Sequence, residues 1–135
     1  MELIIDTNCL ISALIVNGKS RELICSLQLL LFAPEQIIDE TLHHEKEIMD
    51  KSGISESDFN LAMNIFLSTI KIVPEEEFRG YREKALLLVT HPEDSPFMAL
   101  AISKNIPIWS DDKGFKKQAE IKVISTTELI TLLKE

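Results

Sequence analysis

Short apolar runs punctuate the chain, and apolar positions recur at helical spacing between them. The runs are LII at 3–5, LLLFAP at 29–34, IKIVP at 70–74, IPIWS at 106–110 and IKVIS at 121–125. Apolar runs bounded by polar residues or Pro are the pattern of strands buried on both faces, as parallel sheets use. The intervening segments predict helices over 9–15, cut off by Asn17-Gly18, over about 20–27, over 35–49 up to the break at Gly53, and over 75–89. Ser55-Glu-Ser-Asp58 has capping-box form and opens a helix whose Phe59, Met63, Phe66, Leu67 and Ile70 share one face. Asp94-Ser-Pro-Phe reads as a helix start, because Asp can accept first-turn N–H bonds and Pro is tolerated there. Ser125-Thr-Thr-Glu128 repeats the capping-box spacing before the final helix TTELITLLKE. Strands alternating with helices predict a three-layer α/β/α fold around a mostly parallel sheet of about five strands. With no linker, repeat or low-complexity stretch, residues 1–135 are expected to form a single domain.

Two of the predicted strands end in acids. LII runs into Asp6-Thr7-Asn8, and IPIW runs into Ser110-Asp111-Asp112. These residues would lie at the carboxyl edge of the sheet, where open α/β folds bind ligands. Asp94 starts a helix that leads through a tight turn at Asn105 into IPIW, so the amino end of that helix returns to the same edge. Clustered carboxylates are costly unless neutralised, and hard oxygen donors select Mg²⁺ or Mn²⁺. A cation held by several carboxylates suits hydrolysis of a phosphodiester. Each acid also has a plain structural role: Asp6 or Asp94 could cap a helix, and Asp111 and Asp112 could be turn residues before Lys113-Gly114. Their joint placement at one edge favours a site.

In this order the residues resemble the PIN-domain nucleases. The matching stretches are IIDTN at 4–8, DETLHHE at 39–45, EDSPFMALAISKNIPIW at 93–109 and SDDKGF at 110–115, which together span nearly the whole chain. The resemblance implies a PIN-like fold and a divalent-metal-dependent ribonuclease site. Carried over position by position, Asp6, Glu40, Asp94 and Asp112 are the expected catalytic and metal-binding acids, and Asn8 and Ser110 their polar supports. Glu40 is preferred over Asp39 because it matches the family position. Asp111 stands beside Asp112 as an alternative or a support, and the Ser-x-Asp alignment favours Asp112. His43 and His44 lack the H-E-x-x-H pattern of a zinc site and read as solvent-facing or Glu-paired. For small single-domain members the resemblance further implies an RNA substrate, an antitoxin partner and a homodimer. A catalytically silent PIN-like module that binds RNA or protein is the alternative.

Charge and cysteines qualify that picture. With 22 acidic against 14 basic residues the net charge is −8, which argues against nucleic-acid binding through overall basicity. Lys113, Lys116, Lys117 and Lys122 form one local basic cluster beside Asp112 and are the candidate RNA contacts. Cys9 and Cys25 lie in apolar surroundings without metal-ligand spacing and read as reduced core thiols of a cytoplasmic protein. No run has the ~18 apolar residues of a membrane span, and the amino terminus lacks the features of a signal peptide.

Overall fold

The structure is a computed structural model, and residues 1–134 are described. Five strands form one all-parallel sheet: β1 (Glu2–Ile5), β2 (Leu30–Pro34), β3 (Ile70–Val73), β4 (Ile108–Trp109) and β5 (Val123–Ile124). Their spatial order is β3-β2-β1-β4-β5, so β1 is central and the chain reverses direction across the sheet between β3 and β4. The crevice between β1 and β4 is therefore the topological switch point, the usual ligand position in such sheets. Leu3, Ile4 and Ile5 are fully buried, as a central strand covered on both faces requires.

Helices α1 (Thr7–Ile15), α2 (Lys19–Ile24), α3 (Gln36–His43), α4 (Glu45–Ser52), α5 (Glu56–Leu67), α6 (Arg82–Leu88), α7 (Ser95–Lys104) and α8 (Thr126–Lys134) cover the sheet. Ser95 to Ala101 of α7 are all buried, which makes α7 the most enclosed helix among the described residues. It stops at Asn105, whose left-handed backbone (φ 55°, ψ 49°) lets the Ile106 N–H reach Ala101 O at 3.2 Å and turns the chain into β4. Asn tolerates this conformation better than most residues. Gly53, at φ 73°, ends α4 in the same way.

Several expected elements are altered. The helix expected over 35–49 bends at His44, whose φ −98° and ψ 10° separate α3 from α4. The helix expected over 75–89 begins as two 3₁₀ turns, Glu75–Glu77 and Arg79–Tyr81, and only Arg82–Leu88 is α-helical. Phe78 is buried and sits at φ −129° between those turns, so the chain bends to insert its ring and the α-helical ladder cannot start earlier. Strands β4 and β5 are two residues each, shorter than the apolar runs that announced them. The Ser55 box forms half its bonds, with Ser55 Oγ accepting from the Asp58 N–H at 3.1 Å. The Ser125 box is reciprocal: its hydroxyl accepts from the Glu128 N–H at 3.1 Å and Glu128 accepts from the Ser125 N–H at 3.0 Å. Cys9 is a core thiol as expected, but Cys25 is exposed, because it caps the short helix α2 at the surface. Among the described residues no helix is long and apolar enough to cross a membrane.

Candidate active site

Where β1 ends, the chain turns straight into α1, and Asp6 is the residue at the corner. It is 4% exposed, and its Oδ1 accepts from the Cys9 N–H at 2.8 Å, so it caps α1. Its Oδ2 accepts from the hydroxyl of Ser110, a fully buried residue at the end of β4. The Ser110 oxygen in turn accepts from the Asp112 N–H at 3.0 Å, and Asp112 Oδ1 accepts from the Gly114 N–H at 2.9 Å. Hydrogen bonds thus link the ends of two adjacent strands from Asp6 through Ser110 to Asp112. Burial nevertheless raises the Asp6 pKa, against the lowering effect of Ser110 and the Cys9 N–H. The Cys9 thiol is raised as well, by its own burial and then by the Asp6 charge.

The opposite side of the cleft is made by helices. Glu40 lies one turn after Gln36 on α3, and one of its oxygens accepts from the Thr7 hydroxyl at the start of α1. Burial raises its pKa, Thr7 lowers it, and Glu93 raises it further. Asp94 ends a 3₁₀ turn, Pro92–Asp94, and stands immediately before α7. Contrary to the expected cap, its side chain accepts no first-turn N–H bond, because its backbone is already helical (φ −83°, ψ −11°). Burial pushes the Asp94 pKa up to about 6, with Asp112 and then Glu93 adding to the rise. A polar bridge behind the cleft joins the two helices. Arg82 donates to Glu75 at 2.5 Å and to Ser95 Oγ at 3.2 Å, and Gln36 donates to the other Glu75 oxygen at 2.8 Å. It ties the residue after Asp94 to the residue one turn before Glu40.

The cleft so formed has a volume of about 510 Å³. It brings together Asp6, Asn8, Glu40, Asp94 and Asp112 of the sequence-derived set, with Phe97 and Phe115 as apolar lining. Ser110 lies buried behind it, bonded to Asp6. Asp111 is not part of the lining: its two oxygens accept from the Thr126 N–H and hydroxyl, both at 2.7 Å, so it ties the β4 end to the start of α8. Lys113, Lys116 and Lys117 also lie outside the lining, and Lys116 pairs with Glu128 at 2.7 Å. Thr7, Asp39, Glu93 and the three histidines line the cleft but were not singled out as site residues from sequence. Thr7 lay inside the IIDTN motif and Glu93 opened the EDSPF stretch, which were the available signals; His91, just before Pro92, had none.

All the acid donors are hard oxygens, and the half-buried Asp94 carboxylate feels the charges of Asp112 and Glu93 and has no hydrogen-bond partner among the described residues. That donor set fits a divalent cation such as Mg²⁺ or Mn²⁺. Among the described residues no three His, Cys, Asp or Glu side chains meet at coordinating distance, so the fit is one of chemistry and not of preformed coordination.

The fold, the switch-point cleft and the order of the acids define a class that comparison with known proteins identifies. A family model described as PIN domain matches residues 4–133, and the chain belongs to the PIN-domain family, a family of nucleases. Two solved structures share the fold. A toxin–antitoxin complex from Klebsiella pneumoniae superposes with a TM-score of 0.64 at 14% identity, covering 92% of this chain and 97% of that one. VapBC2 from Rickettsia felis, bound to a DNA fragment from its promoter, gives 0.62 at 16% identity, covering 93% and 98%. No curated protein sequence matches the chain.

Proposed function

We propose that this chain is a Mg²⁺- or Mn²⁺-dependent endoribonuclease, a single PIN-like domain that hydrolyses phosphodiester bonds in RNA. The observation that carries the reading is the unpartnered, half-buried Asp94 carboxylate facing Asp112 in the switch-point cleft. A structural aspartate would be capped or paired, whereas this one is held at a cost that a cation would remove. Asp6, Asp94 and Asp112, with Glu40, would hold the ion, which when bound activates a water and stabilises the leaving oxygen. Ser110 holds Asp6 in one orientation and Thr7 does the same for Glu40. Asn8 lines the cleft beside them as a further polar support. Hydrolysis in this mode leaves 5′-phosphate and 3′-hydroxyl ends.

The two similar solved structures are toxin–antitoxin proteins, which supports a toxin role in the cytoplasm with an antitoxin as partner. Exposed Leu61 and Ile65, one turn apart on α5, supply apolar surface for a homodimer or a partner.

The test is cleavage of a labelled single-stranded RNA by the wild type and by Asp94→Asn, each with Mn²⁺, Mg²⁺ or chelator. Cleavage that needs the metal and disappears in the variant supports the nuclease. Metal-independent cleavage, or equal activity in both proteins, overturns it; RNA binding without cleavage would instead indicate a silent module.

A further inference from the structure

A cleft that receives a polyanion normally carries lysine or arginine. This one carries none: its lining includes six carboxylates, those of the proposed site together with Asp39 and Glu93, and no Lys or Arg. It does include every histidine in the chain. His43 ends α3 and His44 forms the corner into α4, their rings edge to face with centroids 5.7 Å apart. His91 stands on another element, just before the Pro92–Asp94 turn. His44 is turned toward Glu47, its Nδ1 3.2 Å from the Glu47 carboxylate, while His43 and His91 are both exposed.

We propose that His43 and His91, with His44 behind His43, form the phosphate-contacting rim of this cleft. Their imidazole N–H groups donate to non-bridging phosphate oxygens of single-stranded RNA on either side of the scissile bond. This rests on the nuclease reading above and adds the groups that hold the substrate. An imidazole has at least one N–H whether neutral or charged, so it can serve a phosphate without placing a permanent cation beside the acids that would bind the metal. Backbone phosphate contacts fix the position of a nucleic acid without reading its sequence. A rim drawn from two separate elements, α3 and the loop before α7, can hold phosphates flanking one bond. The lysines at 113, 116 and 117 lie outside the lining and would act only at longer range.

The experiment replaces both exposed histidines in two ways. His43→Gln with His91→Gln keeps an N–H donor and removes the ring; His43→Phe with His91→Phe keeps a ring and removes the donor. Steady-state cleavage of a single-stranded RNA is measured with Tm as a folding control. The Phe pair is expected to raise KM about tenfold or more with kcat within about twofold, since hydrogen bonds to a charged group are lost from ground state and transition state alike. The Gln pair is expected to stay within about threefold of wild-type KM. Wild-type KM in the Phe pair overturns the proposal, as does loss in the Gln pair with retention in the Phe pair, which would mean that the rings stack on bases. A fall in kcat alone also overturns it. Should the wild type cleave no RNA, the nuclease reading fails by itself, and the Kd of the same proteins for the RNA tests the rim by the same comparison.

Discussion

At the strand ends both oxygens of Asp6 are engaged, one by the Cys9 N–H and one by Ser110, and Asp112 is anchored through Gly114. On the helical side Glu40 has Thr7, and Asp94 has no hydrogen-bond partner although burial and two neighbouring acids push its pKa up to about 6. Both sides carry carboxylates, but one is ordered by the fold and the other is left frustrated. The ordered side sets geometry before any ligand arrives. Burial raises the pKa of Asp6 on the ordered side as well, so a cation relieves a cost on both; the helical side differs in holding one carboxylate with no hydrogen bond to share its charge.

Asp94→Asn should separate the two most widely. Cleavage is expected to fall by roughly a hundredfold or more, because the proposed metal ligand at Asp94 is lost. Stability of the metal-free protein should rise by a few degrees in Tm at neutral pH. The sign follows from linkage: the Asp94 pKa is raised from 3.8 to about 6 in the folded state. Its contribution to stability is fully present below about pH 4 and is lost as pH rises through about 6, so removing the charge helps increasingly between those values and fully above them. A variant that loses both activity and stability would break the comparison.

Ser110→Ala attacks the ordered side. It removes one of the Asp6 hydrogen bonds in the core and leaves the Asp112 N–H without its acceptor in a part-buried setting. The expected cost is about 2 kcal/mol in urea unfolding, with roughly a tenfold loss of cleavage, as for other groups that orient metal ligands. Unchanged stability would show that the linkage between the strand ends is not maintained in solution.

Titration sharpens the contrast without mutation. Mn²⁺ affinity, followed by calorimetry, should increase as pH rises through about 6, where the proton on Asp94 stops competing, and level off above about 7. Affinity that is flat across that range would mean that Asp94 is not a ligand. The smallest effect is expected at Lys116→Ala. Its pair with Glu128, whose carboxyl Lys116 and Ser125 hold down at about 2, is exposed, and the lysine lies outside the cleft. Tm and kcat should stay at wild-type values, with only a slightly shallower salt dependence of KM.

The strands and the acids at their ends were legible because both depend on local pattern: a short apolar run ending in Asp, as LII does, or in Ser-Asp, as IPIW does, is visible without knowing the fold. Helix interruptions were harder, since His44 and Phe78 adopt their backbone angles to satisfy tertiary packing that no window of neighbours reveals. The capping role assigned to Asp94 followed a sound local rule, and the 3₁₀ turn at Pro92–Asp94 overrode it. Thr7 and Glu40 are 33 positions apart, so their bond had no sequence signal. Asp111 and Asp112 were separable by alignment alone; physically the choice depends on where α8 starts, because Thr126 takes Asp111.

The bond from Ser110 to Asp6 crosses 104 positions, and β4 lies beside β1, which precedes it in the chain. During synthesis β1, β2 and β3 can zip together early, while the other edge of β1 waits for a partner that emerges only after β3. A chain halted before residue 108 has one flank of its central strand unpaired, lacks both Ser110 and Asp112, and cannot close the cleft. Assembly of the whole acid set is therefore a late event in biogenesis, and its closure over so long a loop makes it one of the slower steps. Truncated translation products of this chain would be inert toward nucleic acid and would offer an open strand edge to chaperones or proteases.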